Sequence, residues 1–318
     1  MAAAQTIAEY TPVSPMTGVA MDRPFRFIWL LAAAAALCAC TYQLQESHLV
    51  RPQPAPATDL AVLAAAFPGY SLDEARIDTG DGASLYSLRL TRPDARATVL
   101  YFGGNGYRIG VHAQHSVRAY EALPVNLVLV DHRGYGGSSG IPTMDGLRAD
   151  ALLAYDRLRA DPALAELPLL VHGQSLGSFL AGHVAGHRRL DGLVLESSMT
   201  TAEDWTAAMR ARAGFWTRLM VRRIDIAPSL QAAGNLEVVR TLDEPVLFVV
   251  GADDTTTAPV FSRMLHDATP LPAADKRLVV VPGKGHNTAT LSPEFAAAMA
   301  GLIDRVAPVA VTADDAGA

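Results

Sequence analysis

A serine between two glycines is the feature of this sequence that points most directly to chemistry. Ser175 stands in the stretch Gly173-Gln174-Ser175-Leu176-Gly177, which follows an apolar run and precedes a helix-like pattern. Glycines on both sides leave room for a sharp turn between a strand and a helix. Such a turn lifts the serine hydroxyl above a sheet, where it can attack a carbonyl carbon. The alternative is a tight turn with an idle serine.

A nucleophilic serine needs a base to accept its proton, and the base needs a group that orients it. His286 is the candidate base, because it lies in a glycine-flanked loop after the last predicted strand. Asp253 and Asp254 follow another strand and are candidate acids, of which we favour Asp254. Glu196, at a neighbouring strand end, is the third candidate acid. Five other histidines fall in predicted helices and are interpreted as surface or packing residues: His112, His115, His183, His187 and His266.

Acyl transfer through a serine also requires two backbone N–H groups that stabilise the negative oxygen of the intermediate. Leu176, directly after the serine, is expected to supply one of them. The other is expected from the loop Gly103-Gly104-Asn105-Gly106, with Asn105 or Gly106 as the donor. Glycines there allow the backbone to approach a ligand closely. The alternative is that the glycine cluster is only a flexible turn.

Alternating apolar strands and helical stretches predict the scaffold that positions these residues. Nearly continuous apolar strands separated by helices are typical of an α/β fold, with a mostly parallel sheet and helices on both faces. Ligands then gather at the carboxyl ends of the strands. After two early strands joined at Gly80-Asp81-Gly82, the predicted strands are 97–102, 126–131, 167–172, 190–197, 244–251 and 276–281, and the predicted helices lie near 111–122, 144–159, 176–187, 259–266 and 293–306.

Residues 198–242 interrupt this alternation and are predicted to form a helical cap over the carboxyl edge of the sheet, without a strand. Large apolar side chains alternate there with arginines: Trp205, Met209, Phe215, Trp216, Leu219 and Met220 with Arg210, Arg212, Arg218, Arg222 and Arg223. The apolar residues suit either an acyl chain or ordinary cap packing. The arginines suit either anionic phospholipid or a solvated face.

The first 40 residues are predicted to be an N-terminal extension followed by a secretory signal. Arg23 and Arg26 precede an apolar stretch over residues 27–39, and Met21 is a plausible true start. Leu37 to Cys40, at the end of this stretch and directly after it, resemble a bacterial lipobox, in which the final cysteine is lipidated. Cys40 is therefore the predicted lipidation site.

An uncleaved anchor helix is the alternative at the N-terminus, since residues 27–44 are uncharged over 18 positions. Both interpretations place the body in the cell envelope, facing the periplasm or the exterior. A cytoplasmic protein with a misread start is the weakest interpretation. Residues 41–58 contain three prolines and are predicted to be an extended, semi-rigid tether, and residues 59–318 the globular domain.

Composition excludes several classes of function. The chain has 318 residues, half of them apolar, which is enough for one large α/β domain. Its net charge is −6 and it contains no long basic run, which argues against binding to nucleic acid. Both cysteines, Cys38 and Cys40, lie near the front, so the body has no disulfide and no cysteine zinc site. No P-loop pattern is present, which disfavours phosphoryl transfer.

Six segments occur in the order found in one known family: YFGGNG, VDHRGYGGSSGIPTMDGLRADALLAYDRL, VHGQSLG, LVLESS, LDEPVLFVVGADD and VPGKGHNT. Over residues 84–306 the sequence resembles α/β-hydrolases of the serine-aminopeptidase-like group, which includes lysophospholipase-like, esterase-like and ABHD-type acyl hydrolases. The resemblance implies Ser175 as nucleophile, His286 as base, and Asn105 and Leu176 as oxyanion donors. It implies Asp254 as acid, because the family's acid is usually the third residue after a glycine at the end of the preceding strand, which is Gly251 in this chain.

Two positions depart from the family pattern. The family usually has His-Gly where this chain has Gly103-Gly104, so this chain has no side chain at position 103 to support the oxyanion loop. It often has Tyr where this chain has His132, and this difference is expected to change the packing behind Arg133-Gly134-Tyr135-Gly136.

The expected reaction is hydrolysis of a carboxylic ester, such as a lipid acyl ester, through an acyl-enzyme intermediate, with no metal or organic cofactor. Two other functions stay open at this point. One is a serine peptidase or amidase that uses the same three side chains. The other is a non-catalytic binding protein of the cell envelope.

Overall fold

The computed structural model describes residues 40–308. The predicted signal segment before Cys40 lies outside the described residues. Residues 43–213 and 224–308 form one compact unit that holds the central sheet. Residues 40–42 and 214–223 belong to a second, small unit.

Strands β1 to β12 are, in chain order, Cys40–Leu44, Gln53–Pro54, Ser71–Asp78, Ser84–Thr91, Ala97–Phe102, Val125–Val130, Tyr135–Gly136, Leu169–Gln174, Gly192–Glu196, Val221–Ile226, Val246–Gly251 and Lys276–Val281. Helices α1 to α11 are Glu46–Leu49, Leu60–Ala66, Ile109–Tyr120, Met144–Arg159, Leu176–Ala185, Ala202–Arg212, Phe215–Met220, Pro228–Gln231, Leu236–Arg240, Pro259–Ala268 and Pro293–Val306.

Eight strands form the central sheet, in the order β12-β11-β9-β8-β5-β6-β4-β3. The six strands from β12 to β6 pair in parallel, whereas β4 pairs antiparallel with both β6 and β3. The sequence signal for the early hairpin explains the antiparallel pairing of β3 with β4, because a tight turn can join only antiparallel neighbours. This mostly parallel sheet confirms the predicted α/β-hydrolase fold.

Helices cover both faces of the sheet, and the alternation of side chains along β5 shows how. Leu100 and Phe102 pack into a core layer with α4, α5 and α10, whereas Val99 and Tyr101 pack into the opposite layer with α2, α3 and α11. Successive side chains of a strand point to opposite faces, so a strand between two helical layers must be apolar at every position. That is why the sequence shows apolar runs without alternation.

The cap region differs from its prediction, because residues 198–242 contain a strand as well as helices. Strand β10, with the sequence VRRIDI, forms a two-stranded sheet with β1. Its arginines and aspartate interrupt the apolar pattern, which is why the strand is hard to identify from sequence.

The proline-rich stretch also differs from a free tether. Gln53 and Pro54 are extended, but they pair in parallel with Tyr135 and Gly136. The division of the chain into tether and domain at residue 58 stays a prediction.

None of the helices within residues 40–308 has the length and apolarity needed to cross a bilayer.

Candidate active site

Ser175 occupies a strained turn between the end of β8 and the start of α5. Its φ of 51° and ψ of −113° lie outside the regions that residues with side chains normally adopt. The flanking glycines are required by contact as well: a Cβ atom on Gly173 would overlap the carbonyl oxygen of Gly177, and one on Gly177 would overlap that of Phe102. The G-x-S-x-G pattern therefore reflects close backbone packing at this turn.

Ser175, His286 and Asp254 lie together at the carboxyl ends of β8, β12 and β11. The Nε2 atom of His286 is 3.0 Å from Ser175 Oγ, and its Nδ1 atom is 2.8 Å from Asp254 Oδ2. This is the chain of contacts in which a carboxylate orients an imidazole and the imidazole accepts a serine proton. The structure thus brings together three residues that are up to 111 positions apart.

Asp254 is held as a buried carboxylate. Burial acts to raise its pKa, but hydrogen bonds and the charge of His286 outweigh burial, and the pKa lies below its ordinary value. Its Oδ1 atom accepts the backbone N–H groups of Thr256 and Thr257, at 2.8 and 2.9 Å. Both carboxylate oxygens therefore have partners, so the acid has one defined orientation toward His286.

Several residues that contact Asp254 and His286 were not identified as site residues from the sequence. Thr257 Oγ1 lies 2.9 Å from Asp254 Oδ2 and 3.2 Å from His286 Nδ1. The carbonyl oxygen of His286 accepts hydrogen bonds from Gln174 Nε2 at 3.2 Å and Ser197 Oγ at 3.1 Å. These contacts fix the histidine loop. Only the position of Gln174 inside the serine motif gave any sequence signal.

The other candidate acids have different surroundings. Asp253 is exposed. Glu196 is buried, and its Oε2 atom lies 3.3 Å from Nε2 of His172 rather than beside His286. Four of the five histidines assigned to helices lie in helices, and His187 lies just after α5.

The loop after β5 passes directly beside the serine, as expected for an oxyanion loop. A Cβ atom on Gly104 would lie 3.3 Å from Ser175 Cβ and would overlap the Gln174 side chain. Gly106 has a φ of 85°, which favours glycine. Leu176 is the first residue of α5, so its N–H has no acceptor within the helix. The loop after β5 and the start of α5 both lie next to Ser175, and their role as oxyanion donors stays a prediction.

The two departures from the family pattern have a common explanation in this loop. A Cβ atom on Gly103 would overlap the ring of Tyr107, so Tyr107 fills the space that a side chain at position 103 would need. His132 donates a hydrogen bond through Nε2 to the Gly103 carbonyl oxygen, at 2.7 Å. The side chains of Tyr107 and His132 thus contact the loop at Gly103 in place of a side chain at position 103.

A cavity of about 290 Å³ opens at Ser175 and His286. Its apolar walls are formed by Leu49, Phe179, Met199 and Trp205. A second, more polar cavity of about 210 Å³ shares the walls formed by Asn105, Gln174 and Asn287. Within residues 40–308, no group of three or more His, Cys, Asp or Glu side chains is arranged to hold a metal ion.

Comparisons with known proteins identify the family to which this chain is similar. Residues 93–239 match the family described as serine aminopeptidase, S33. An uncharacterized protein of Mycobacterium tuberculosis is 32% identical over 213 residues, covering 66% of this chain and 71% of that protein. The human protein ABHD12B is 28% identical over 220 residues, covering 63% and 58%.

Two further matches concern a relative's name and the fold. A Saccharomyces cerevisiae protein named as an uncharacterized membrane protein is 24% identical over 263 residues, covering 82% of this chain and 89% of that protein. The solved structure of the Pyrococcus furiosus esterase Pf2001 superposes with a TM-score of 0.62 at 15% identity, covering 81% of this chain and 97% of the esterase.

Proposed function

The chain belongs to the serine-aminopeptidase-like family of ABHD-type α/β-hydrolases, and we propose that it hydrolyses carboxylic esters through a serine acyl-enzyme. The observation that carries this proposal is the position of His286, which lies within hydrogen-bond distance of Ser175 on one side and Asp254 on the other. The strained backbone of Ser175, in a turn flanked by Gly173 and Gly177, supports the same proposal, because such strain is typical of functional sites.

In the proposed reaction, Ser175 Oγ attacks the ester carbonyl carbon while His286 Nε2 takes its proton. Asp254 stays ionised and stabilises the imidazolium that forms. The N–H groups of Leu176 and of Asn105 or Gly106 bind the negative oxygen of the intermediate. His286 then protonates the departing alcohol. A water molecule, activated by the same histidine, releases the acid and restores Ser175.

The apolar cavity at Ser175 favours an acyl group rather than a peptide main chain as the bound part of the substrate. Phe179, Met199 and Trp205 offer apolar contacts and no charge to a ligand there. The indole N–H of Trp205, which would otherwise be a polar group in the cavity wall, is bonded to the Thr256 carbonyl oxygen at 3.1 Å. A lipid acyl ester is therefore the substrate class that we favour.

Export and membrane anchoring are part of the same proposal. The basic residues and apolar stretch before Cys40 support a lipidated N-terminus or an anchor helix. The name of the yeast relative points in the same direction. Helix α7 adds exposed side chains that suit a membrane surface, with Phe215 at 66% and Trp216 at 74% exposure beside Arg218.

Hydrolysis of p-nitrophenyl esters of increasing acyl length tests the proposal, with the full chain purified in a mild detergent. We expect turnover that is lost in Ser175→Ala and kept in Ser71→Ala, a control at the exposed edge strand β3. Ester turnover equal in the wild type and in Ser175→Ala would contradict the proposal. Hydrolysis of aminoacyl or peptide anilides but not of esters would move the assignment to a peptidase.

A further inference from the structure

We propose that residues 46–56, which we call the strap, are a working part of the active site rather than a tether. In this proposal the strap limits the acyl chain through Leu49 and positions Asn105 of the oxyanion loop through Gln53. The proposal deepens the ester hydrolase function and depends on it.

The strap is fixed to the body by its backbone. The N–H of Gln53 donates to the Gly134 carbonyl oxygen at 2.8 Å, and the N–H of Ala55 donates to that of Gly136 at 3.3 Å. Val50 is 3% exposed and belongs to the core. A Cβ atom on Gly110 would overlap the Pro56 carbonyl oxygen, so the strap also lies against the start of α3. These contacts hold the segment at a fixed place beside the loop after β5.

Leu49 forms part of the wall of the cavity that opens at Ser175. It is half-buried, packs against the core, and lies in the same cavity wall as Phe179 and Met199. Phe179 and Met199 belong to the hydrolase body, whereas Leu49 comes from the N-terminal segment. The size of the side chain at position 49 should therefore set how far an acyl chain can extend.

Gln53 reaches the oxyanion loop through its side chain. Its Nε2 atom lies 3.4 Å from Asn105 Oδ1, and the hydroxyl of Tyr135 donates to the same oxygen at 3.0 Å. Tyr135 is itself the backbone partner of Gln53 in the short β2–β7 ladder. Two donors on one amide oxygen fix the Asn105 side chain, and with it the adjacent backbone that is expected to hold the second oxyanion donor. Gln53 and Tyr135 are thus positioning residues.

The first test compares Gln53→Ala and Gln53→Glu with Gln43→Ala in the full chain. Glutamate keeps the size of the side chain but cannot donate to Asn105 Oδ1 when ionised. We expect both Gln53 variants to lower kcat on p-nitrophenyl butyrate about three- to tenfold with KM nearly unchanged, the effect of one lost hydrogen bond. Gln43, which lies in β1 just before the strap, bonds to Asp225 instead, and its replacement should leave kcat unchanged. Unchanged kcat in both Gln53 variants would overturn the positioning role.

The second test varies Leu49 and measures acyl-length preference. We expect Leu49→Trp to shift the preferred p-nitrophenyl ester to shorter chains and Leu49→Ala to shift it to longer chains. Val62→Ala and Val62→Trp, at an exposed position on α2, are the matched controls and should keep the wild-type profile. A length profile unchanged in both Leu49 variants, at an unchanged melting temperature, would overturn the wall role.

Labelling by alkyl fluorophosphonates of graded chain length separates the two proposals. This reagent reports the reactivity of Ser175 and the cavity size without requiring ester turnover. A wild-type protein that is labelled but hydrolyses no ester would contradict the proposed function, while a labelling profile that follows the size of residue 49 would still support the strap. A labelling profile that is independent of residue 49 would overturn the strap proposal.

Discussion

His132 Nε2 donates a hydrogen bond to the carbonyl oxygen of Gly103 across 2.7 Å, joining the end of β6 to the first residue of the loop after β5. His132 is buried, and burial lowers the pKa of its imidazole. The ring is therefore neutral at pH 7, with its proton on the nitrogen that faces Gly103. This bond fixes Gly103, the first residue of the proposed oxyanion loop, and its donor His132 stands where the family often has tyrosine.

Replacing His132 by phenylalanine should lower kcat about tenfold and destabilise the fold by roughly 1–3 kcal/mol, because the buried Gly103 carbonyl loses its donor. His132→Gln, whose amide can also donate, should recover part of both losses. Ester kinetics and urea unfolding measure the two effects. His187→Phe, at an exposed position after α5, is the control. A His132→Phe protein with wild-type kcat would show that the bond does not matter for the loop.

Asp131, next to His132, gives a prediction for stability against pH. Burial raises the pKa of Asp131 to about 6, against the lowering effect of hydrogen bonds from the N–H groups of Gly137 and Ile109. The unfolded value is about 3.9. Because the folded pKa is the higher one, the folded state binds the proton more tightly. The stabilisation of the fold by this tighter proton binding is therefore fully present below a pH of about 4, and it is lost as the pH rises through about 6.

Asp131→Asn should remove this dependence. Between pH 4 and pH 7 the free energy of unfolding of the wild type should fall relative to that of Asp131→Asn, by up to about 3 kcal/mol. Urea unfolding at half-unit pH steps measures the difference, with Asp73→Asn on the exposed edge strand as the control. Curves for the wild type and Asp131→Asn that stay parallel over this range would show that Asp131 has an ordinary pKa in the fold.

The acid and its threonine neighbour give a graded prediction for activity. Asp254→Asn should lower kcat by about 10³- to 10⁴-fold, because the amide favours the wrong tautomer of His286. Thr257→Val should lower kcat only several-fold, since the valine removes one hydroxyl beside Asp254 and His286 and keeps the shape. Thr255→Val, exposed on the same loop, should have no effect. Equal losses in Thr255→Val and Thr257→Val would show a general effect of the loop.

Sequence alone predicted the parts of this protein in which local chemistry and the fold agree. Apolar runs identified the buried strands, and the glycines around Ser175 identified the turn, because contacts with neighbouring backbone exclude any other residue there. Chain order and position after a strand singled out His286, whereas the choice of Asp254 over Asp253 and Glu196 also used the resemblance to the family.

The rest depended on contacts between distant parts of the chain. Leu49 and Gln53 lie in a stretch whose prolines predict a tether, and only pairing with Tyr135 and Gly136 shows where it lies. Thr257 looks ordinary in sequence, and His132 stands out only as a departure from the family pattern, because the role of each depends on a partner 29 residues away. Strand β10 was missed because charged residues interrupt its pattern.

Gly177 provides a test of the turn that carries Ser175. Gly177→Ala would place a Cβ atom into the carbonyl oxygen of Phe102, which is backbone and cannot move aside without disturbing β5. We expect a loss of several kcal/mol in the free energy of unfolding, together with loss of activity. Gly69→Ala has open space around the new atom and should change stability by less than about 1 kcal/mol. A Gly177→Ala protein as stable as Gly69→Ala would contradict the packing described at the turn.

The two N-terminal cysteines separate the two forms of membrane attachment. If Cys40 is the lipidated residue, Cys40→Ser should lose fatty-acid labelling and move from the membrane fraction, because the lipid that attaches the protein to the membrane is then missing. Cys38→Ser is the matched control, two positions earlier in the same stretch. It should keep both the labelling and the membrane fraction. Membrane fractionation that is unchanged in Cys40→Ser and in Cys38→Ser, with no fatty-acid labelling of the wild type, would favour an uncleaved anchor that ends before strand β1 at Cys40–Leu44, with the apolar residues 27–39 alone holding the protein in the bilayer.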